Sequence, residues 1–275
     1  MRARKRFGQH FLEPAWVAKV LAAIAPDATD TFLEIGPGRG ALTLPLAGRV
    51  EQVLAVEVDR DLAADLRGRA PENVRLIEGD FLAVDLAEPL SGVPPGSLRV
   101  AGNLPYNVSS PILARLFRLH DEDVRPIDAT LMLQREVADR LGATPGSRTY
   151  GALSVGAQRR ARVARVLDLP PGAFRPAPKV HSALVRLTFL PPAEATPVPP
   201  HFDDLVRSVF GQRRKQLSNA LKPFVEGTGQ SAADLLARAR IDSARRPETL
   251  SVEEFARLAA AAARPPDSSQ ATAVL

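Results

Sequence analysis

The segment Leu33-Glu34-Ile35-Gly36-Pro37-Gly38-Arg39-Gly40 is the strongest indicator of the architecture of this chain. A short apolar strand, Thr31 to Ile35, runs directly into three glycines spaced G-x-G-x-G, and a helix is predicted from Ala41 to Leu46. Glycine lets the backbone turn sharply and lets a ligand approach it closely. A strand, a glycine turn and a helix in this order predict a nucleoside-binding turn at the carboxyl end of a sheet strand.

On both sides of this turn, short apolar strands alternate with helices. Strands are predicted over residues 31–35, 52–58, 74–77, 99–103, 128–133, 163–169 and 182–189, and helices over residues 14–25, 41–46, 61–69, 111–119 and 135–141. This alternation is typical of a doubly wound, mostly parallel sheet. Ligands of such sheets bind at the carboxyl ends of the strands. We therefore predict an α/β, Rossmann-like domain.

The composition changes in the last third of the chain. Residues 191–200 are rich in proline and are predicted to be a linker, and the pattern beyond them is helical, over residues 202–221, 232–240 and 252–262. Ser251 and Glu254 have the spacing of a capping box at the start of the last helix. We predict a catalytic domain with a basic N-terminal arm (1–190), a linker (191–200) and a small all-helical domain (201–275).

Composition and charge exclude several classes of site. The 275 residues are 45% hydrophobic, which is enough for a large core and a small one. Without cysteine the chain has no disulfide, thiolate catalyst or cysteine-bound zinc. Its four histidines lack ligand spacing, so we predict no metal. The net charge of +5 permits a polyanionic partner. No apolar run is membrane-spanning and no signal peptide is evident, so we predict a cytoplasmic monomer that binds no membrane.

The glycine turn and two acidic residues indicate the cofactor. Dinucleotide binders use G-x-G-x-x-G, although the glycines alone leave open an NAD site or a structural turn. Gly36 and Gly38 are predicted to bind the cofactor. Glu57, at the end of the second strand, can accept hydrogen bonds from both ribose hydroxyls. Asp80 can accept from a cofactor adenine amine, and Phe81 can line the adenine slot. This set favours S-adenosyl-L-methionine, which carries no phosphate.

The four residues Asn103-Leu104-Pro105-Tyr106 begin at the end of the fourth strand and indicate the target. An aromatic amine is a poor nucleophile because its lone pair is delocalised into the ring. The amide oxygen of Asn103 and the carbonyl of Leu104 can accept hydrogen bonds from the amine and localise that pair. Pro105 fixes the turn, and Tyr106 offers a face for base stacking. We predict methyl transfer to the exocyclic amine of adenine; an ordinary Asn-x-Pro loop with a core tyrosine is the alternative.

One aromatic residue and several basic residues complete the predicted site. Phe174, in a proline-rich loop, is predicted to clamp the other face of the base, and a core phenylalanine is the alternative. Phosphate contacts are predicted from the arginines and lysine at 159, 160, 162, 165, 175, 179 and 186, from Arg213, Arg214 and Lys215 on one face of a helix, and from the arm residues Arg2, Arg4, Lys5 and Arg6. A solvated helix face is the alternative reading.

Motifs along nearly the whole chain resemble those of a known family. They are Arg6-Phe7-Gly8-Gln9-His10-Phe11-Leu12, Leu33 to Gly40, Glu57-Val58-Asp59, Gly79-Asp80-Phe81, Asn103 to Tyr106, Phe174-Arg175-Pro176-Ala177-Pro178-Lys179-Val180, Arg213-Arg214-Lys215-Gln216-Leu217 and Asn219-Ala220-Leu221. In this order they resemble the ribosomal RNA adenine dimethyltransferases, in particular the small-subunit type found in bacteria.

The resemblance implies a substrate and a set of cofactor contacts. The substrate is a pair of adjacent adenosines in a hairpin loop near the 3′ end of 16S rRNA, dimethylated late in assembly of the small ribosomal subunit. The implied cofactor contacts are His10, Leu12, Gly36, Glu57, Asp80 and Asn103. Many relatives carry Asn in place of His10, but an imidazole can still donate a hydrogen bond.

Three other functions share this pattern. A large-subunit rRNA methyltransferase of the resistance type has the same catalytic domain, but the segments Phe174–Val180 and Arg213–Leu221 favour the small-subunit type. A non-catalytic assembly or transcription factor has the same fold, but the intact Asn103–Tyr106 cluster argues against it. A small-molecule methyltransferase is disfavoured by the basic C-terminal third.

Overall fold

The computed structural model describes residues 10–122 and 124–262, which form nine strands and twelve α-helices. The strands are β1 (Phe11–Leu12), β2 (Thr31–Ile35), β3 (Gln52–Glu57), β4 (Val74–Glu78), β5 (Leu98–Asn103), β6 (Asp128–Gln134), β7 (Ala161–Leu169), β8 (Phe174–Arg175) and β9 (Ser182–Phe189). The helices are α1 (Pro14–Ile24), α2 (Thr43–Ala47), α3 (Arg60–Arg67), α4 (Ala87–Leu90), α5 (Ser109–Asp121), α6 (Arg135–Leu141), α7 (Ala152–Gln158), α8 (Phe202–Gly211), α9 (Leu217–Ala220), α10 (Lys222–Val225), α11 (Ala232–Ala239) and α12 (Val252–Ala262).

The large sheet has the predicted doubly wound architecture. Its seven strands are ordered β4-β3-β2-β5-β6-β9-β7, with the first five parallel and β9 antiparallel to both neighbours. All five residues of β2 are buried, as expected for a central strand covered on both faces. The strand order reverses between β2 and β5, which is where this class of sheet binds its ligands. The predicted α/β fold is confirmed.

Two short strands were not predicted from the sequence. Strand β1 pairs with β8 in a separate antiparallel ribbon, with Leu12 opposite Phe174. Two residues are too few for a periodic pattern, so these strands form only because tertiary contacts bring them together. The ribbon joins the start of the described chain to the proline-rich loop.

A buried arginine holds the amino-terminal edge of the sheet. Arg99, at the start of β5, donates to Asp30 at 2.8 Å and to Asp128 at 2.7 Å. Its guanidinium also donates to the carbonyls of Ile24 and Ala25, which end α1. Five donors in a fixed fork suit this arrangement. The network attaches α1 to the edge of the sheet opposite the carboxyl ends of β2, β3 and β5.

The chain divides into two compact units. One contains the chain up to Gly142 together with Arg160–Leu190, and the other contains Ala143–Arg159 and the chain from Pro191 onward. The chain also divides after Leu190, where the catalytic domain was predicted to end, but Ala143–Arg159, which was predicted to belong to that domain, lies in the second unit. Helix α7 belongs to the second unit because its Val155, together with Tyr150 just before the helix, packs in one core with residues of α8, α11 and α12.

The helical unit corrects one prediction about basic residues. The predicted helix over residues 202–221 ends at Gly211, and Arg213, Arg214 and Lys215 lie in the turn before α9. Arg213 donates to the carbonyls of Ser147 and Arg148 at 3.3 and 2.7 Å. It thus braces the helical unit internally, whereas Arg214 and Lys215 are exposed. The predicted placement of the three cations on one helix face was wrong.

The predicted capping box of α12 is confirmed. Ser251 Oγ accepts from the Glu254 N–H at 3.2 Å, and Glu254 Oε2 accepts from the Ser251 N–H at 2.9 Å. The reciprocal bonds satisfy two groups that the first turn of a helix leaves unpaired.

Candidate active site

A cleft opens at the carboxyl ends of β2, β3 and β5. Its lining brings together most of the predicted site residues, namely His10, Leu12, Gly36, Gly38, Glu57, Asn103, Leu104, Pro105 and Tyr106. Parallel strands end at one edge of a sheet, so Gly36, Glu57 and Asn103 meet there although they are far apart in the chain. The cleft therefore has the location that the sequence predicts for a ligand of this fold.

The glycine turn holds the floor of the cleft open. Gly36 has φ +69°, and a side chain added there would meet no atom within 4 Å, so its backbone is accessible to a ligand. Gly38 has φ +58°, and its N–H donates to Glu57 Oε2 at 2.9 Å. L-residues with side chains rarely adopt such positive φ angles. Glycine at these positions therefore permits both the turn and the close approach of a ligand.

Glu57 ends β3 as predicted and is held by the backbone. Its Oε1 accepts from the Asp59 N–H at 2.9 Å, and its Oε2 accepts from Gly38. Burial raises the pKa of Glu57, and the two backbone hydrogen bonds oppose that rise. A carboxylate held in one orientation keeps further lone pairs for hydroxyl donors. This geometry suits binding of a ribose.

Glu34 is a cleft residue whose role the sequence reading missed. It lies in β2 between Ala55 and Ala101 of the neighbouring strands and is only 2% exposed. Among the described residues its Oε2 has no hydrogen-bond partner. Burial raises the pKa of Glu34 to about 7, an effect that the Thr43 hydroxyl opposes and the charge of Glu57 reinforces. The signal in the sequence is an acidic residue inside an otherwise apolar central strand.

The raised pKa of Glu34 predicts a pH-dependent stability. A carboxyl with pKa about 7 in the folded state and 4.5 unfolded binds its proton more tightly when folded. Its contribution is therefore fully present below pH 4.5 and is lost as pH rises through 7, by about 3 kcal/mol. We expect Glu34→Gln to remove most of this loss when urea unfolding is compared at about pH 5 and about pH 8. The exposed Glu88→Gln is the control, and an equal pH dependence in both variants would contradict the assignment.

Asn103 is oriented by the segment that crosses the cleft. Its Nδ2 donates to the carbonyl of His10 at 2.6 Å, which leaves Oδ1 as the side-chain acceptor. Leu104 is buried, and its N–H donates to the Met132 carbonyl at 3.2 Å. The Asn103 amide is thus held by His10, just before β1, and the segment after Asn103 is held by Met132 of β6. Neither constraint can be recognised in the local sequence.

Tyr106 is held at its edge and on one face. Its hydroxyl lies 2.6 Å from Ser182 Oγ, and its ring stacks on the His10 imidazole with centroids 5.2 Å apart. His10 Nδ1 lies 2.6 Å from the Pro176 carbonyl, so Nδ1–H is the donor. The proline-rich loop therefore supports His10, and the first residue of β9 supports Tyr106. Ser182 is a second residue that the sequence reading missed.

Asp80 and Phe81 lie outside the lining of this cleft. Asp80 is exposed just beyond β4, and its Oδ1 accepts from the Leu82 N–H at 2.9 Å. Phe81 is buried, with the Arg115 guanidinium 5.4 Å from the ring centroid. The Gly79 N–H donates to the Glu57 carbonyl at 2.9 Å and so places Asp80 beside the end of β3. Their cofactor contacts remain predictions.

Phe174 does not have the predicted position. It is 1% exposed, pairs with Leu12 across the β1–β8 ribbon and belongs to the core of the sheet unit. A ring buried to this extent cannot stack on a base in this conformation. The alternative interpretation, a core phenylalanine, agrees with the structure. An aromatic side chain in this ribbon fills space between the ribbon and the sheet.

The predicted RNA-facing cations have different environments. Arg160 is 3% exposed and pairs with Asp121 at 2.6 Å, and Arg186 donates to the carbonyls of Ala23 and Ile24. These two arginines are structural. Lys179 is exposed in the segment Phe174–Val180. The arm residues 2–6 lie outside the described residues.

A family model described as "Ribosomal RNA adenine dimethylase" matches residues 1–263. The chain belongs to the ribosomal RNA adenine dimethylase family. It is accordingly an rRNA adenine N6,N6-dimethyltransferase that uses S-adenosyl-L-methionine. The geometry fits that cofactor, because the accessible glycine backbone, the oriented Glu57 carboxylate and the unpartnered Glu34 oxygen all face one cleft.

Curated relatives match this dimethylase over most of its length. Ribosomal RNA small subunit methyltransferase A of Aromatoleum aromaticum is 45% identical over 257 residues, covering 92% of each chain. The protein of the same name from Thermosynechococcus vestitus is 43% identical over 259 residues, covering 93% of this chain and 95% of the relative.

Solved structures share the fold of this dimethylase. A dimethyladenosine transferase from Plasmodium falciparum superposes with a TM-score of 0.73 at 24% identity, covering 90% of this chain and 96% of that one. The 23S rRNA methyltransferase ErmE superposes with a TM-score of 0.63 at 23% identity, covering 91% and 98%. Within residues 10–122 and 124–262, no helix is long and apolar enough to cross a membrane, and no cluster of side chains could hold a metal ion.

Proposed function

We propose that this dimethylase modifies two adjacent adenosines in a hairpin loop near the 3′ end of 16S rRNA, as a cytoplasmic monomer acting late in assembly of the small subunit. Identity of about 45% to relatives named for the small subunit supports this substrate. The single observation that carries the chemistry is the Asn103 amide, which is held with its oxygen as the available acceptor at the strand end beside the glycine turn.

The residues that would hold the cofactor form the floor of the cleft. Glu57 accepts from the ribose hydroxyls, while the backbone around Gly36 and Gly38 lies against the ligand. Leu12 of β1 and His10, the residue just before β1, border the same cleft. When bound there, S-adenosyl-L-methionine supplies a methyl carbon attached to a positively charged sulfur. A sulfonium is a good leaving group, so the protein needs no strong base.

The residues that act on the target amine lie at the end of β5. In the first of the two transfers, Asn103 Oδ1 and the Leu104 carbonyl accept from the two N–H groups of the adenine amine. Their acceptance localises the nitrogen lone pair and directs it at the methyl carbon. Methyl transfer would form a C–N bond as the C–S bond of the cofactor breaks, and the amine proton would leave to solvent. Tyr106 stacks on the base, so catalysis is mainly positioning for in-line transfer.

The deciding experiment is nucleoside mass spectrometry of ribosomal RNA. Cells that lack this protein should have small-subunit rRNA without N6,N6-dimethyladenosine, and adding the purified protein with S-adenosyl-L-methionine to their small subunits should restore it at two adjacent positions. Large subunits from the same cells are the control. Dimethylation of large-subunit rRNA alone would contradict the proposal and favour the resistance-type substrate.

Arg214 and Lys215 are the exposed cations of the turn between α8 and α9, and we propose that they contact rRNA phosphates. Reversing both charges should weaken binding to small subunits and lower the slope of log affinity against log salt by about 0.7–0.9 for each lost contact. Arg207→Glu is the matched control, because this exposed arginine of the same unit already pairs with Asp204.

An unchanged salt slope in the double variant would contradict these phosphate contacts. The contacts would then belong to the strands and loops between residues 159 and 186. Arg213→Glu should behave differently from both variants. It should lower the melting temperature of the helical unit, because it breaks the bonds to Ser147 and Arg148.

A further inference from the structure

Ser182 is a buried polar residue with one notable partner. It is the first residue of β9 and is 1% exposed, and its Oγ lies 2.6 Å from the Tyr106 hydroxyl. The residues that follow it in β9 are Ala, Leu and Val. Burying a hydroxyl costs free energy unless it is hydrogen-bonded. The bond to Tyr106 therefore accounts for a serine in this position.

The two partners differ in how firmly the backbone holds them. Ser182 lies in the sheet interior, opposite Gln134 of β6 and Leu169 of β7. Because β9 runs antiparallel to β6, it begins at the edge of the sheet where β5 and β6 end. Tyr106 instead lies in the turn between β5 and α5. The hydrogen bond thus joins a residue in a turn to a strand held on both sides.

We propose that Ser182 is a positioning residue for methyl transfer, acting through Tyr106; the inference rests on the proposed function. A tyrosine ring can rotate about two side-chain bonds, and a base stacked on it takes the orientation of that ring. The Ser182 bond fixes the edge of the ring, and the His10 stack fixes one face. Ser182 is absent from the cleft lining, so it acts only through its partner.

This assignment changes the role of the proline-rich loop. Phe174, the aromatic residue in the loop, is buried in the core and does not face the cleft. The loop and the strand after it instead contribute two polar atoms, the Pro176 carbonyl to His10 and Ser182 Oγ to Tyr106. Both atoms support residues that line the cleft. The loop and β9 therefore act on the target base by holding Tyr106, the ring on which it stacks, directly through Ser182 and indirectly through His10.

A double-mutant cycle tests the proposal in the full-length protein with S-adenosyl-L-methionine and undermethylated small subunits. Ser182→Ala and Tyr106→Phe remove the same hydrogen bond from opposite sides, and the second keeps the ring. We expect each single variant to lower kcat by up to about tenfold, the range of one net hydrogen bond. The double variant should be no slower than the slower of the two single variants. Calorimetric affinity for S-adenosyl-L-methionine should be unchanged, and Ser182→Thr should recover kcat.

A matched control separates positioning from loss of stability. Thr130→Val deletes another buried hydroxyl of the same sheet, 1% exposed on β6, and should lower the melting temperature without lowering kcat. The resonance Raman signature of phenol hydrogen bonding should change in Ser182→Ala, and since Tyr150 is the only other tyrosine the signal can be assigned with Tyr106→Phe.

Two results would overturn the inference. One is unchanged kcat in Ser182→Ala despite a lower melting temperature, and the other is multiplication of the two single effects in the double variant. A wild-type protein that fails to methylate small subunits would instead overturn the proposed function, so the two failures are distinguishable.

Discussion

Replacing Asn103 with alanine is expected to lower the rate of methyl transfer about 10²–10³-fold, the usual cost of one preorganised hydrogen-bonding group. The amide oxygen is the proposed acceptor for the target amine, and Nδ2 is held by the His10 carbonyl at 2.6 Å. Single-turnover rates on undermethylated small subunits measure the effect. Calorimetry should show a smaller change in affinity for S-adenosyl-L-methionine. Turnover near that of the wild type would remove Asn103 from the mechanism.

Two further variants separate the functions of the Asn103 amide. Asn103→Asp keeps acceptor oxygens but cannot donate to the His10 carbonyl, so its defect reports the loss of orientation. Asn73→Ala is the matched control, because that side-chain amide of the same unit donates to the carbonyls of Ala47 and Val50. It should destabilise the fold without lowering the single-turnover rate.

Replacing Arg99 with alanine is expected to lower the free energy of unfolding by about 3–5 kcal/mol. The substitution leaves Asp30 and Asp128 buried without the cation that neutralises them, and it removes the donors to the end of α1. Urea unfolding measures the loss. The methylation rate per folded molecule should be unchanged, because Arg99 lies at the opposite edge of the sheet from the cleft.

The exposed pair Arg75–Glu88 provides the control for Arg99. Its N–O distance of 2.8 Å equals that of the Arg99–Asp30 pair, but its side chains are 48% and 77% exposed. Solvent screens such a pair, so Arg75→Ala should cost less than about 1 kcal/mol. Equal losses in the two variants would show that burial of the Arg99 network does not matter.

Local patterns in the sequence were sufficient for the main fold and for most of the cleft. Alternating apolar strands and helices predicted the doubly wound sheet, and the carboxyl ends of three strands predicted Gly36, Glu57 and Asn103 as site residues. This works because strand periodicity and glycine turns are local properties. Parallel strands then bring their carboxyl ends together whatever the sequence separation.

Local patterns failed where a long-range contact decides the environment of a side chain. An aromatic residue in a proline-rich loop suggested that Phe174 clamps the base, but pairing of its strand with β1 buries Phe174 in the core. The pattern of charges predicted that Arg213 lies on the exposed face of a helix. In the structure it lies in a turn and donates to the carbonyls of Ser147 and Arg148. The partners of both residues are distant in the chain, so neither outcome could be recognised locally.

The α/β sheet, the glycine turn and the family motifs can be recognised in the sequence alone, because each depends on residues close together in the chain. The environment of each side chain in the cleft depends on the folded structure. In the folded structure Glu34 is buried beside the cleft, and a hydrogen bond to the His10 carbonyl orients the Asn103 amide. A second hydrogen bond links Ser182 to Tyr106, which lies 76 positions away in the chain. Hydrogen bonding and desolvation depend on neighbours in space, and these neighbours exist only after the strands have paired.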